Sequence, residues 1–305
     1  MNKSEIKKNN IKLSIIIVNW NVLPLLKRCI FSICKNIKDI NYEIIVVDND
    51  SKDGSKTYLK GLEEKRDNVE IILNNKNLGF ATANNKGLKI AKGKFILFLN
   101  PDTEITSNTI EKLMQELENN NDIGIIAPKI LGVDGKHQPS VRAFPSILSQ
   151  ILIFLKLHHI FPNTPVLKKY FQHNFDYKKQ QEAEQVMGAA MLARKQALDK
   201  VGYWDENFFL WFEEVDLCKR IKQAGWEIVY TPKAQILHHG GESFAQMMGL
   251  KKQNIYNKSA IYYFKKHSSF EKYWPLLVLH PFSLCISLIV QILNISGGYG
   301  FPKKD

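Results

Sequence analysis

The stretch EIIVVDNDSKDGS, residues 43–55, sets a short apolar run against a polar cluster. A run this short and this rich in β-branched side chains reads as a strand covered on both faces rather than as a helix. Two more runs have the same form, LSIIIV at 13–18 and KFILFL at 94–99. Between them, Leu23, Leu26, Ile30, Ile33 and Ile37 recur at helical spacing, and a second helical pattern covers 80–91 before Gly93. Further strands are expected at 69–73 and 123–127. The alternation predicts an α/β unit with a mainly parallel sheet over the first 130 residues.

In open sheets of this kind, ligands bind beyond the carboxyl ends of the strands. Those positions hold Asn19-Trp20-Asn21, then Asp48, Asn49 and Asp53 in the 48–55 cluster, then Asn100-Pro101-Asp102. A single cluster of this kind serves equally as a turn or a helix cap. Three at one edge point to a ligand site. Neither GxGxxG after the first strand nor GxxxxGK[ST] occurs, which argues against a dinucleotide fold and a P-loop. A carboxylate-rich edge repels bare phosphate, so a divalent cation, Mg²⁺ or Mn²⁺, is expected to bridge a diphosphate there.

In the second half, Glu213, Glu214 and Asp216 open a helical pattern that runs to Gly225, and an aromatic run, 208–212, precedes them. One acid at a helix start is explained by the dipole; three in four positions exceed that need. A carboxylate held against aromatics has a raised pKa and suits general-base work. A strand at 227–230 and a turn at Pro232 lead to His238 and His239, candidate metal ligands, followed by Gly240 and Gly241, whose backbone can approach phosphate.

With 42 Lys and Arg against 30 Asp and Glu, the formal charge of +12 suits anionic partners or a solvated lysine-rich surface. No recognisable nucleic-acid motif is present, and acidic strand ends oppose a phosphate backbone, so nucleic acid is not expected as a partner. The four cysteines form no CxxC pair, which suggests neither a disulfide framework nor a zinc site and fits a reducing cytosol. The polar start, 1–11, lacks the apolar segment of a signal peptide. Residues 275–295 are apolar over about the length that spans a bilayer but are interrupted by His280, Pro281 and Gln291. A span, an interfacial contact and a buried helix pair all remain open for them. The apolar, basic-punctuated 141–170 stretch is read as a helix lying on a membrane or acceptor, or equally as a buried helix with a loop.

Taken together, LSIIIVNWN, EIIVVDNDSKDGS, NLGFATANNKGLKIAKGKFILFLNPDTEI from Asn77, and VGYWDENFFLWFEEVDLCKRIKQAGW from Val201 with the following HHGGES resemble the family 2 glycosyltransferases of the GT-A fold, particularly rhamnosyltransferase-like members. The resemblance implies a GT-A-type, Rossmann-like sheet flanked by helices over 12–245, with a nucleotide-binding half (12–130) and an acceptor and catalytic half (131–245); outside it, the apolar composition of 246–305 is read as a helical, membrane-associated extension. It implies a nucleotide diphosphate sugar donor, rhamnose first among the candidate sugars, held by Asn19, Asn21, Asp48, Asn49, Asp53, Gly79, Phe80, Asn85 and Asn100. Asp102 matches the last acid of a DxD-like motif reduced here to NPD, with His238 as its companion at the metal. Glu214 stands where the family places its catalytic acid, flanked by Glu213 and Asp216. The implied reaction is an inverting transfer to a glycan acceptor; the apolar 141–170 and 275–295 stretches and the positive charge add the expectation of a polyprenyl-diphosphate-linked acceptor at the cytoplasmic face of a membrane. A sugar nucleotidyltransferase and a non-catalytic binding protein of the same fold are the alternatives.

Overall fold

A computed structural model describes residues 11–240 and 249–293. Strand and helix alternate first: β1 (Leu13–Asn19), α1 (Leu23–Asn36), β2 (Tyr42–Asp48), α2 (Ser55–Glu63), β3 (Val69–Leu73), α3 (Phe80–Ile90) and β4 (Phe95–Leu99). Then come β5 (Thr103–Ile105), α4 (Thr109–Asn119), β6 (Ile123–Leu131), β7 (His137–Gln138) and β8 (Val141–Arg142). Three short helices follow, α5 (Ile147–Phe154), α6 (Leu157–Ile160) and α7 (Pro165–Tyr170). Strands β9 (Gln181–Glu182), β10 (Gln185–Val186) and β11 (Ala190–Arg194) lead to α8 (Lys195–Val201), α9 (Glu213–Gln223) and β12 (Glu227–His238). Helices α10 (Gly249–His267) and α11 (Phe270–Ile292) close the described chain.

The main sheet runs β3-β2-β1-β4-β11-β6-β12-β5, with β7 and β9 on its flanks. Strands β1, β2, β3 and β4 are mutually parallel, and β12 is parallel to β6. Strand β11 enters antiparallel between β4 and β6. The mainly parallel α/β expectation therefore holds, and the apolar runs show why. Ile15, Ile17, Ile44 and Val46 join the core cluster under α1, α2 and α4, while Ile16, Ile45 and Val47 join the one under α3, α8 and α9. Alternate residues of one run face opposite layers, so both faces must be apolar.

Three expectations change. The Pro232 turn is no turn: β12 continues through it to His238, with a register shift against β6 between Thr231 and Gln235. A proline has no N–H for the ladder and is accommodated in a strand at such an irregularity. The two proposed halves share one sheet, because β11 and β12 come from the second half and flank β6 from the first. The 141–170 stretch holds three helices in place of one, and α5 packs Phe154 into a third core with Phe212 and Val215 around α9, Tyr263 of α10 and Leu276 of α11. The 1–10 tail, the 245 boundary, Gly241, and the last residues of the terminal apolar stretch lie outside the described residues.

Candidate active site

At the ends of β1 and β2 the polar residues meet, as their strand register requires: Asn19 is paired with Asp48. Asn19 Nδ2 donates to Asp48 Oδ2 at 2.8 Å and to Ser51 Oγ at 3.1 Å, and the Ser51 amide donates to Asp48 Oδ1 at 2.9 Å. Asn21 Oδ1 accepts from the Lys52 amide at 2.7 Å. Asn19 Oδ1 is buried without a hydrogen-bond partner. Other members of the expected set act as scaffold. Asp53 caps two helices at once, accepting from the Leu23 and Ser55 amides at 2.7 and 3.1 Å. Asn49 accepts from Asn74 at 2.8 Å and donates to the Gly79 carbonyl at 3.1 Å. Asn85 is corrected most clearly: its amide is spent on the Trp204 backbone at 2.8 and 3.0 Å and on Glu206 at 2.9 Å, which ties α3 to the loop before α9. Gly79, at φ +84°, abuts that loop, where a Cβ would come within 2.5 Å of the Phe209 carbonyl, and the Phe80 amide donates to that same oxygen at 2.9 Å. Only glycine tolerates both conditions.

Antiparallel pairing of β5 with β12 sets His238 opposite Thr103, beside Asp102. The His239 amide donates to the Asp102 carbonyl at 2.9 Å, fixing the NPD turn against the strand end. His238 Nε2 lies 3.5 Å from Asp102 Oδ1. Gln138 donates its Nε2 to the His238 carbonyl at 3.1 Å, which turns its Oε1 to His238 Nδ1 at 2.9 Å. A neutral His238 then carries its proton on Nδ1 and presents a bare Nε2 towards Asp102, the arrangement by which an outer partner orients a metal-ligating imidazole. Adjacent ligands of an octahedral ion with bonds of about 2.1 Å sit about 3.0 Å apart, so the pair fits two corners of one site with little movement. Among the described residues no group of three or more His, Cys, Asp or Glu is placed to hold a metal. Asp102 and His238 are thus the two protein ligands that the described residues offer such an ion.

Helix α9 carries the acids. It is entered through two consecutive left-handed residues, Trp211 (φ +63°) and Phe212 (φ +68°). Bulky side chains rarely adopt that conformation, and it collects where a site demands it. Glu213 is buried and Glu214 half-buried, and each has one carboxylate oxygen, Oε2, that is buried without a hydrogen-bond partner. Burial pushes both acids up, and the charge of Glu214 raises Glu213 further. At Glu214, backbone N–H groups and Arg142 oppose the effect of burial without cancelling it. Asp216 has the opposite environment. Burial would raise it, but His267, Arg220 and Lys266 hold it down to about 2, and all three lie 2.8 Å from its oxygens. Expected among the catalytic acids, it is engaged in ion pairs that join α9 to α10.

A short connection links the metal-side turn to the acids. The Asn100 amide donates to the Ala189 carbonyl at 2.9 Å, and a Cβ on Gly188 would sit 3.7 Å from the Glu214 Cβ. The Met187 amide donates in turn to the Ser140 carbonyl at 2.8 Å. Residues 138–142 thus form a strap from Gln138 at His238 to Arg142, which pairs with Gln185 at the base of the same connection. The sequence reading missed Gln138 and Arg142. Gln138 lies in the polar HQPS sequence, 137–140, which looks like any loop, and Arg142 is one basic residue at the start of the apolar 141–170 stretch.

The family model for glycosyl transferase family 2 matches residues 14–202, which contain the strand-end clusters, the NPD turn and the strap. The chain belongs to glycosyl transferase family 2. This family 2 glycosyltransferase is 28% identical over 211 residues to an N-acetylglucosaminyl-diphospho-decaprenol L-rhamnosyltransferase of Mycobacterium tuberculosis, a match covering 66% of this chain and 67% of that enzyme. Its fold is similar to that of GalNAc-T7 solved with UDP, GalNAc and Mn²⁺ (TM-score 0.58, 15% identity, 98% of this chain and 60% of that one). A mannosyltransferase from Pyrobaculum calidifontis solved with GDP-Man and Mn²⁺ is also similar (TM-score 0.56, 13% identity, 97% and 78%). The sheet is of the GT-A type, as the motifs imply. A nucleotidyltransferase reading is set aside by the family match.

Proposed function

We propose that the chain transfers a sugar from a nucleotide diphosphate donor to a hydroxyl of a glycan carried on polyprenyl diphosphate, with inversion, at the cytoplasmic face of a membrane. Rhamnose is the proposed sugar and the lipid-linked class the proposed acceptor; the name of the mycobacterial relative supports both. The observation that carries the reaction is the pairing, through residues 188 and 189, of the Asp102–His238 end with a buried, unpartnered Glu214 carboxylate oxygen.

In this reading the donor lies over the ends of β1, β2 and β4, where Asn19 Oδ1, Asp48, Asn21 and Asn100 face the nucleotide. Asp102 and His238 would hold Mg²⁺ or Mn²⁺ with the diphosphate and water as its remaining ligands. When bound, the ion supplies positive charge to the departing diphosphate. Glu214, ionised, takes the proton from the acceptor hydroxyl as that oxygen attacks the anomeric carbon, and a single displacement inverts the centre. Glu213 is buried behind it and serves as the neutral neighbour, since two adjacent buried carboxylates do not both ionise readily.

Glu214→Gln keeps size and hydrogen bonding while removing the base. Transfer is expected to fall by roughly 10²- to 10⁴-fold with the melting temperature unchanged. Near-normal transfer by that variant would assign the base elsewhere.

A further inference from the structure

Arg142, whose charge favours an ionised Glu214, is held in a position specified in further detail. It sits on β8 opposite Gln185, three residues before Gly188, whose Cα faces the Glu214 side chain. Its guanidinium lies 5.7 Å from the ring centre of Tyr170 and 5.3 Å from that of Phe171. The Ala143 amide donates to the Tyr170 carbonyl at 3.0 Å, so the end of α7 and the strap are one unit. Ser140, two residues back along the strap, has a buried hydroxyl without a hydrogen-bond partner. Following the strap, the metal-side histidine comes first at Gln138, Ser140 next and Arg142 last, beyond the connection that reaches Glu214.

We propose that Arg142, with Ser140, forms an anion subsite for the diphosphate of the acceptor, on the opposite side of Glu214 from the donor diphosphate. The inference rests on the lipid-linked acceptor reading above and adds the residues that recognise it. A guanidinium stacked on aromatic rings is held in a fixed plane, and its N–H edge matches two phosphate oxygens better than a flexible ammonium does. The order along the strap puts donor and acceptor diphosphates at different ends, so one metal and one guanidinium divide two anions between them. An acceptor sugar attached directly to its diphosphate would then present its hydroxyl between Arg142 and the donor, at Glu214.

The test compares the wild-type chain, Arg142→Gln and Arg142→Lys on two acceptors with the same sugar, one on a lipid diphosphate and one on a neutral alkyl chain. Arg142→Gln is expected to raise KM for the diphosphate acceptor by roughly 10- to 100-fold, the range lost with one charge-assisted contact. KM for the neutral acceptor and for the donor should stay unchanged, and Arg142→Lys should recover part of the loss. An equal loss on both acceptors would reduce Arg142 to support of Glu214, and a raised donor KM would move it to the donor diphosphate; either overturns the subsite. Binding of inorganic pyrophosphate in the presence of EDTA, followed by melting temperature, judges the subsite separately from turnover. Wild type and Asp102→Asn should both be stabilised and Arg142→Gln should not, whereas a shift retained by Arg142→Gln overturns the proposal. Transfer by the wild type only to the neutral acceptor, with the pyrophosphate shift intact, would overturn the lipid-linked reading and with it the assignment of the anion site to the acceptor, whereas loss of the shift in the wild type would overturn the anion site itself.

Discussion

Glu214 sits under opposed influences: burial disfavours its charge, while the N–H groups at the start of α9 and Arg142 favour it. Burial dominates, so the acid stands above the ordinary value of 4.5. A general base works only when ionised. Activity is therefore expected to be lost as pH falls through that raised value, and the acidic limb of kcat/KM should lie above 4.5. Glu214→Gln should abolish that limb together with most of the rate. A limb at or below the ordinary carboxylate range would show that Glu214 is not the group titrating. The sequence placed this residue correctly next to aromatics, and the physical reason given there, a carboxylate removed from water, is the one the structure supplies. For Asp216, two positions on, the same reasoning failed. Its partners Lys266 and His267 are about fifty residues away in the chain, and no local pattern announces them.

At the level of elements, α9 and α10 are joined by the Asp216 cluster, and Lys266 extends it to Asp205 at 2.7 Å, in the loop between α8 and α9. Removing the buried anion that Arg220, Lys266 and His267 share leaves the Arg220 guanidinium without its carboxylate and Lys266 with Asp205 alone. Asp216→Asn is expected to destabilise the fold by about 3–5 kcal/mol in a denaturant titration, the range seen when one partner of a buried pair is lost. The pH sense follows from the lowered pKa. The stabilisation, about 2 kcal/mol, is present above the ordinary value of 3.8 and is lost as pH falls from there through about 2. A variant with wild-type stability at pH 7 would show that the cluster contributes no net stabilisation. The same cluster explains why α9 starts where it does. With α10 fixed to its side and Phe212 packed in the third core, the strained entry at 211–212 is held in place and the two glutamates emerge at its tip.

Across the whole molecule, α11 differs from every other helix described. It is long and apolar enough to cross a membrane by length and composition. Its inner side carries Ser283, whose hydroxyl donates to the Phe154 carbonyl at 2.8 Å, and buried Ser287. Its outer side exposes Trp274, Leu277, Val278, Phe282 and Ile289, each more than 40% accessible. A helix that buries serines and exposes large apolar side chains has the polarity expected of lipid contact along its length. Because α5 and α10 grip its inner side and α5 also touches the core behind α9, an interfacial position would set Glu214 near the bilayer, where a lipid-linked acceptor resides. Val278→Asp with Phe282→Asp is expected to abolish flotation of the chain with vesicles containing anionic lipid while transfer to a short-chain acceptor persists. Unchanged flotation would place the membrane contact on another surface.

The apolar runs determined the sheet, since strands covered on both faces must be apolar throughout and few other segments are. They also determined the polar edge of the sheet, because the strand-end rule converts those runs directly into the positions of Asn19, Asp48 and Asp102. What the sequence could not determine depends on pairings between distant segments. Strand β12 runs through Pro232, so His238 meets Asp102 by β5–β12 register and not by a turn. The strap from Gln138 to Arg142 reaches both ends of the site only because β7 pairs with β6 and β8 with β10. Asn85, Asn49 and Asp53 look like ligands in a motif, and the folded chain gives their polar atoms scaffold partners, because an amide or carboxylate offers the same atoms to a nucleotide or to a backbone, and only tertiary packing decides which partner occupies them.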